Sequence, residues 1–197
     1  IAWCEYRAFH MKKLLIIVVM GFVFFGTTAF ILNNGGIADR TGSPGETTCS
    51  VCHSGGAGTT VISISATPSF SANQFVIGQT YTVSCTVSNS AFTKFGFDAE
   101  ILDASNVNAG NITAGLAGVQ IINTTRKNAT QTTSKIGVGS AVFEFVWVAP
   151  LSGNATIYVA GNAINGTGGT GLDTPGSTSL ALNPDFSPCI NEAVQSG

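Results

Sequence analysis

Residues 81–87 read YTVSCTV, and that strict alternation constrains the chain more than any other feature. Tyr81, Val83, Cys85 and Val87 fall on one side of an extended strand, and Thr82, Ser84 and Thr86 on the other. Successive side chains of a strand point to opposite faces, so the pattern belongs to a sheet with one buried and one wet face. KFGFDAEIL at 94–102 repeats it, with Phe95, Phe97, Ala99 and Ile101 inward and Asp98 and Glu100 on the solvated side. SAVFEFVWVAP at 140–150 places Ala141, Phe143, Phe145 and Trp147 on one side, and Pro150 ends the run. NATIYVAG at 154–161 follows a turn at Leu151-Ser152-Gly153, which makes 140–161 an expected antiparallel hairpin. Weaker strand signals lie at 59–67, 118–125 and 178–182. No stretch after Asp39 sustains a helical apolar spacing. The expected fold is all-β: an antiparallel, immunoglobulin-like sandwich of about seven to eight strands, spanning residues 59–183.

Ahead of it, MKKLLIIVVMGFVFFGTTAF from Met11 has two lysines, an apolar run and small residues ending at Ala29. This is the pattern of a secretory signal peptide over 11–29, with cleavage expected before Phe30. An uncleaved membrane anchor is the rival, since Phe30, Ile31 and Leu32 extend the apolar run. Residues 1–10 read as upstream untranslated sequence. Processing at Phe30 removes Met11, Met20, Cys4 and His10, leaving His53 as the sole histidine of a mature chain of about 168 residues. That chain carries five basic against nine acidic residues and no basic cluster beyond Arg126-Lys127. Nucleic acid is therefore not an expected partner, because phosphate binding needs concentrated positive charge. A membrane would be met only through the signal peptide or a C-terminal anchor.

Between leader and sandwich, residues 30–58 read as an exposed segment holding TGSPGETTCSVCHSGG at 41–56. Cys49, Cys52 and His53 have the C-x-x-C-H spacing of covalent haem attachment. Two thiols would form thioethers with the vinyl groups, and the adjacent histidine would ligate iron. Without a second histidine or a methionine, the mature chain cannot complete a bis-His or His/Met centre. Two alternatives stay open: a Cys49–Cys52 disulfide formed in an oxidising compartment, and zinc, which wants four ligands.

Other candidates have plainer readings. Cys85 is expected as a buried small hydrophobe, with a Cys85–Cys189 bridge open. Asp98 and Glu100 suit a solvated sheet face better than calcium or acid/base work. Asp173, in GTGGTGLDTPG, is read as part of a turn, with cation binding as the alternative. GTGGTG lacks the βαβ context of a dinucleotide site. Asn111, Asn123, Asn128, Asn154 and Asn165 open N-x-[ST] sequons, read as markers of turn-rich surface.

GNITAGLAGVQII, the W-V-A-P at 147–150 and IYVAGNAINGTGGTG together resemble a Reeler (reelin-type) domain. With TGSPGETTCSVCH in front, the layout is similar to bacterial exported proteins with a choice-of-anchor V domain. The resemblance covers about residues 40–182 and implies a secreted or cell-surface β-sandwich with no established catalytic activity. It also implies a C-terminal anchor, whereas residues 184–197 read as a tail cut short before one. The expected function is a surface module binding a protein or glycan, with a possible covalent haem c. The alternatives are an extracytoplasmic haem protein with a redox partner, and a merely stapled loop. No nucleophile–base or paired-carboxylate constellation points to an enzyme.

Overall fold

The computed structural model describes residues 35–187. The leader, Cys4, His10, both methionines, Cys189 and most of the tail lie outside the described residues. Among the described residues there are twelve strands: β1 (Ser54–Gly55), β2 (Val61–Thr67), β3 (Gln74–Val76), β4 (Thr80–Ser88), β5 (Lys94–Leu102), β6 (Asn111–Gly115), β7 (Val119–Asn123), β8 (Lys127–Gln131), β9 (Lys135–Ile136), β10 (Ser140–Val148), β11 (Ala155–Ile164) and β12 (Gly171–Asp185). They form two sheets, one ordered β2-β4-β10-β6 and the other β1-β12-β11-β5-β8-β7, with β3 and β9 added at β12 and β5. The all-β sandwich expected from the alternation is the architecture observed, with more strands than expected. Most pairs are antiparallel; β1 and β3 join β12 in parallel.

The two inner faces meet as the alternation requires. Tyr81, Val83, Cys85 and Val87 of β4 and Phe143, Phe145 and Trp147 of β10 pack in one core with Phe95, Phe97, Ala99 and Ile101 of β5. Phe97 stacks on Phe143 with centroids 4.4 Å apart, and Trp147 meets Phe75 edge-on at 5.5 Å. A buried indole needs an acceptor, and Trp147 Nε1 donates to Ala109 O at 2.8 Å. Burying Phe145 and Trp147 completely contributes roughly 2–3 kcal/mol each by area.

Two expectations are corrected. Residues 140–161 are not a hairpin, because β10 pairs with β4 and β6 while β11 pairs with β5 and β12. Both strands have one buried face, but in a sandwich that face can belong to either sheet, and the intervening turn crosses between them. The second correction concerns Asp98 and Glu100, which are 2% and 0% exposed rather than solvated. Segment 35–58 folds over their face of β5, so this segment is not simply exposed: Thr41 and Ser43 are buried in it.

Candidate functional site

Segment 35–58 is built from turns that its sequence dictates. Ser43-Pro44-Gly45-Glu46 has proline second and Gly45 third at φ +88°, the type II pattern, closed by Glu46 N donating to Ser43 O at 2.9 Å. The turn returns Glu46 to Thr41, whose backbone N and Oγ1 donate to Glu46 Oε2 at 3.2 and 2.8 Å. Thr41 Oγ1 also lies 2.9 Å from Glu100 Oε1. Arg126 then joins the pieces: it pairs with Glu46, donates to Pro44 O at 3.3 Å and brings Nε within 3.1 Å of Glu100 Oε2. Burial pushes the Glu100 carboxyl up from its ordinary value, while the Thr41 hydrogen bond and the Arg126 charge pull it back. One hydroxyl proton cannot serve two carboxylates at once, which agrees with a Glu100 that retains its own proton more readily. Beside it, Asp98 Oδ2 accepts from Arg40 N at 2.9 Å, and burial pushes Asp98 well up.

Thr48 then caps a 3₁₀ turn over Cys49–Val51, its hydroxyl accepting from Ser50 N at 3.3 Å. Cys52 N and His53 N both donate to Cys49 O, at 3.3 and 3.0 Å. The two thiols are free and unlike each other. Cys52 is exposed; Cys49 is pushed up to about 12 by burial, with the Asp98 charge adding. Cys85, expected as a buried hydrophobe, is fully buried in the core and also pushed up to about 12.

After the motif, Ser54-Gly55-Gly56 explains how His53 is fixed. Ser54 N donates to Thr170 O and Gly56 N to Asp173 O, so this stretch runs along β12 as a short parallel strand. A Cβ at Gly56 would sit 2.4 Å from Thr174 Oγ1 and 2.7 Å from backbone atoms of Leu172 and Asp173, so only glycine allows the approach. That approach brings His53 Nδ1 to 2.7 Å from Asp173 Oδ2. A carboxylate only accepts, so Nδ1 carries the proton and the Nε2 lone pair of the neutral ring is left free. Asp173 is 0% exposed, against 29% for the His53 side chain. Its other oxygen accepts from Asn165 N at 2.8 Å. Asn165 in turn organises the glycine-rich loop, donating from Nδ2 to Gly171 O and accepting from Thr167 N and Oγ1.

Asp173 therefore belongs to a strand and to the histidine, not to a solvated turn, and the Asn165 amide closes a loop. Asn128, another sequon residue, is fully buried with Nδ2 3.4 Å from Asp98 Oδ2, which corrects its surface reading. The structure brings together Cys49, Cys52 and His53 in one turn, as their spacing requires. Asp173 and the Glu46–Arg126–Glu100 group were missed as partners of this segment; the one signal for them was acidic residues placed within or beside strands. Among the described residues, no three His, Cys, Asp or Glu side chains converge to hold an ion. Haem needs no such convergence, because the sulfurs bond the porphyrin rim and the histidine alone bonds the metal. The donor set fits that group: two free thiols and an imidazole anchored through Nδ1 with Nε2 available.

No family model matches the chain, and no curated protein matches it in sequence. Among solved structures, the sandwich is similar to the Reelin-N domain of F-spondin, at 15% identity and a TM-score of 0.45, over 68% of this chain and 94% of that one. Two fragments of the human F-spondin reeler domain also match at a TM-score of 0.45. Fragment 1 is 13% identical, covering 66% of this chain and 95% of its own, and fragment 2 is 16% identical, covering 67% and 93%. The likeness is one of strand arrangement, and it extends no further.

Proposed function

We propose that this is an exported β-sandwich carrying one covalent haem c at Cys49 and Cys52, with His53 as its axial ligand. The observation that supports the reading most is the His53 Nδ1–Asp173 Oδ2 hydrogen bond of 2.7 Å. Histidines that bind metals through one nitrogen almost always donate from the other to a carboxylate, carbonyl or water, which fixes tautomer and ring orientation. An exposed histidine next to a stapled loop has no need of a fully buried carboxylate. Bound haem would supply one-electron chemistry or a ligand position at iron. The chain's own residues hold it: the Thr48-capped turn spaces the two thiols, Ser54-Gly55-Gly56 locks the turn to β12, and Asp173 orients the imidazole. Among the described residues His53 is the only histidine and methionine is absent, so the second axial position is left for an exchangeable ligand. Such a centre would serve redox transfer or ligand sensing, outside the cytoplasm when the signal peptide exports the chain.

Expression with haem-maturation machinery tests this. A Soret band and a mass gain of one haem are expected, both lost or weakened in Cys49→Ala and Cys52→Ala, and ready binding of added imidazole. No Soret band, with a mass matching a Cys49–Cys52 disulfide, would overturn it and leave a stapled loop on a surface-binding sandwich.

A further inference from the structure

We propose that Asp173 is a positioning residue that gives His53 anionic character as an axial ligand, biasing the haem of the preceding reading toward its ferric state. The inference rests on that reading and goes beyond it, because a backbone carbonyl would orient the imidazole equally well without adding charge. The structure supplies a carboxylate instead, and supplies it in the form that matters. Asp173 is wholly removed from water, so its charge is felt by His53 through protein rather than screened by solvent. It is also rigid: Oδ1 is held by Asn165 N at 2.8 Å, and its carbonyl by Gly56 N at 3.0 Å. Its Oδ2 therefore cannot swing away from Nδ1. A hydrogen bond to a carboxylate raises the basicity of the ligating imidazole. Greater electron donation and a nearby negative charge both stabilise the ferric ion over the ferrous one. A hydrogen bond to the ligating histidine is one of the levers by which protein sets a haem potential.

The test compares haem-loaded wild type with Asp173→Asn, which removes the charge and leaves one acceptor oxygen for the two donors His53 Nδ1 and Asn165 N. The midpoint potential of D173N should move upward, by at least a tenfold change in ferric-to-ferrous preference, which is 59 mV for a one-electron couple. The iron–histidine stretch of the ferrous protein should fall in the variant, a signature that mere loss of fold would not produce. If D173N does not fold or load, the wild-type stretch decides: an imidazolate-like frequency supports the inference, and one typical of neutral imidazole overturns it. An unchanged potential in loaded D173N overturns it while leaving the haem reading intact. Absence of haem from the wild type defeats the haem reading first, and is told apart by its missing Soret band.

Discussion

Replacing Arg126 by methionine isolates the clamp that holds the TGSPGE turn on the sheet. Arg126 is the cation beside Glu46 and Glu100, whose side chains are 5% and 0% exposed. Methionine preserves the aliphatic stem and removes the charge, leaving two carboxylates against one Thr41 hydroxyl. Breaking a buried pair by deleting one partner costs about 3–5 kcal/mol, because an uncompensated charge remains inside. That is a large share of the roughly 5–15 kcal/mol that stabilises a domain, yet the variant should still fold. The loss must also depend on pH. Glu100 has a folded pKa above its unfolded value of 4.5, so the folded state keeps a proton that the unfolded state releases. The associated stability is complete below the unfolded value and drains away as pH rises through the folded one. Without Arg126 the folded value climbs further, and the window widens upward. Urea unfolding, followed by tryptophan fluorescence, should therefore show a loss of about 3–5 kcal/mol at pH 7.5. Near pH 4.5, where a neutral Glu100 lacks only a hydrogen-bond partner, the loss should shrink to about 1–2 kcal/mol. Glu100→Gln added to Arg126→Met should recover much of the neutral-pH loss. Equal losses at both pH values, or a loss under about 0.5 kcal/mol at pH 7.5, would refute the clamp.

Two further outcomes test the core and the motif. Phe145 is wholly buried between the sheets, so Phe145→Ala should cost about 3–5 kcal/mol in the same unfolding assay, and less than 1 would mean that the inner face is misassigned. With haem absent, iodoacetamide at pH 8 should label Cys52 first, because the thiols of Cys49 and Cys85 are pushed up to about 12; equal rates for Cys49 and Cys52 by mass mapping would contradict that difference.

The inner half of the fold was legible because burial there is apolar and strands have a period of two. Tyr81, Phe95, Phe143, Phe145 and Trp147 could be assigned from alternation alone. Strands without that signal were not legible. KNATQ of β8 buries Asn128, Ala129 and Thr130 in succession, since both of its faces are covered. β12 was expected over 178–182 and runs from Gly171 to Asp185, with Pro175 paired opposite Asn162. Glycine and proline there resemble punctuation, yet Pro175 and Pro184 are accommodated within a long strand. The C-x-x-C-H spacing identified the turn but not its anchor, because Asp173 lies 120 residues away and only the β1–β12 pairing joins them.

The outer face of the second sheet explains why a chain so poor in charge buries several carboxylates. Asp98 holds the backbone of Arg40, Glu100 meets Thr41 and Arg126, and Asp173 holds His53. Each sheet carboxylate grips a different part of one segment, in chain order from Arg40 to His53. Acid/base work would need one of them open to a substrate, and all three are buried. Calcium would need them to converge, whereas each is committed to a separate protein partner. Their common task is attachment. Removing the segment would uncover Asp98 and Glu100 and take away the Arg40 and Thr41 bonds, leaving Asn128 and Arg126 beside them, so the sandwich and the cysteine-bearing turn pack as one unit. A cofactor attached at Cys49 and Cys52 would thus sit on a turn tied to the sheet at both ends, through Glu46 before it and His53 after it. That rigidity is what a fixed axial ligand requires.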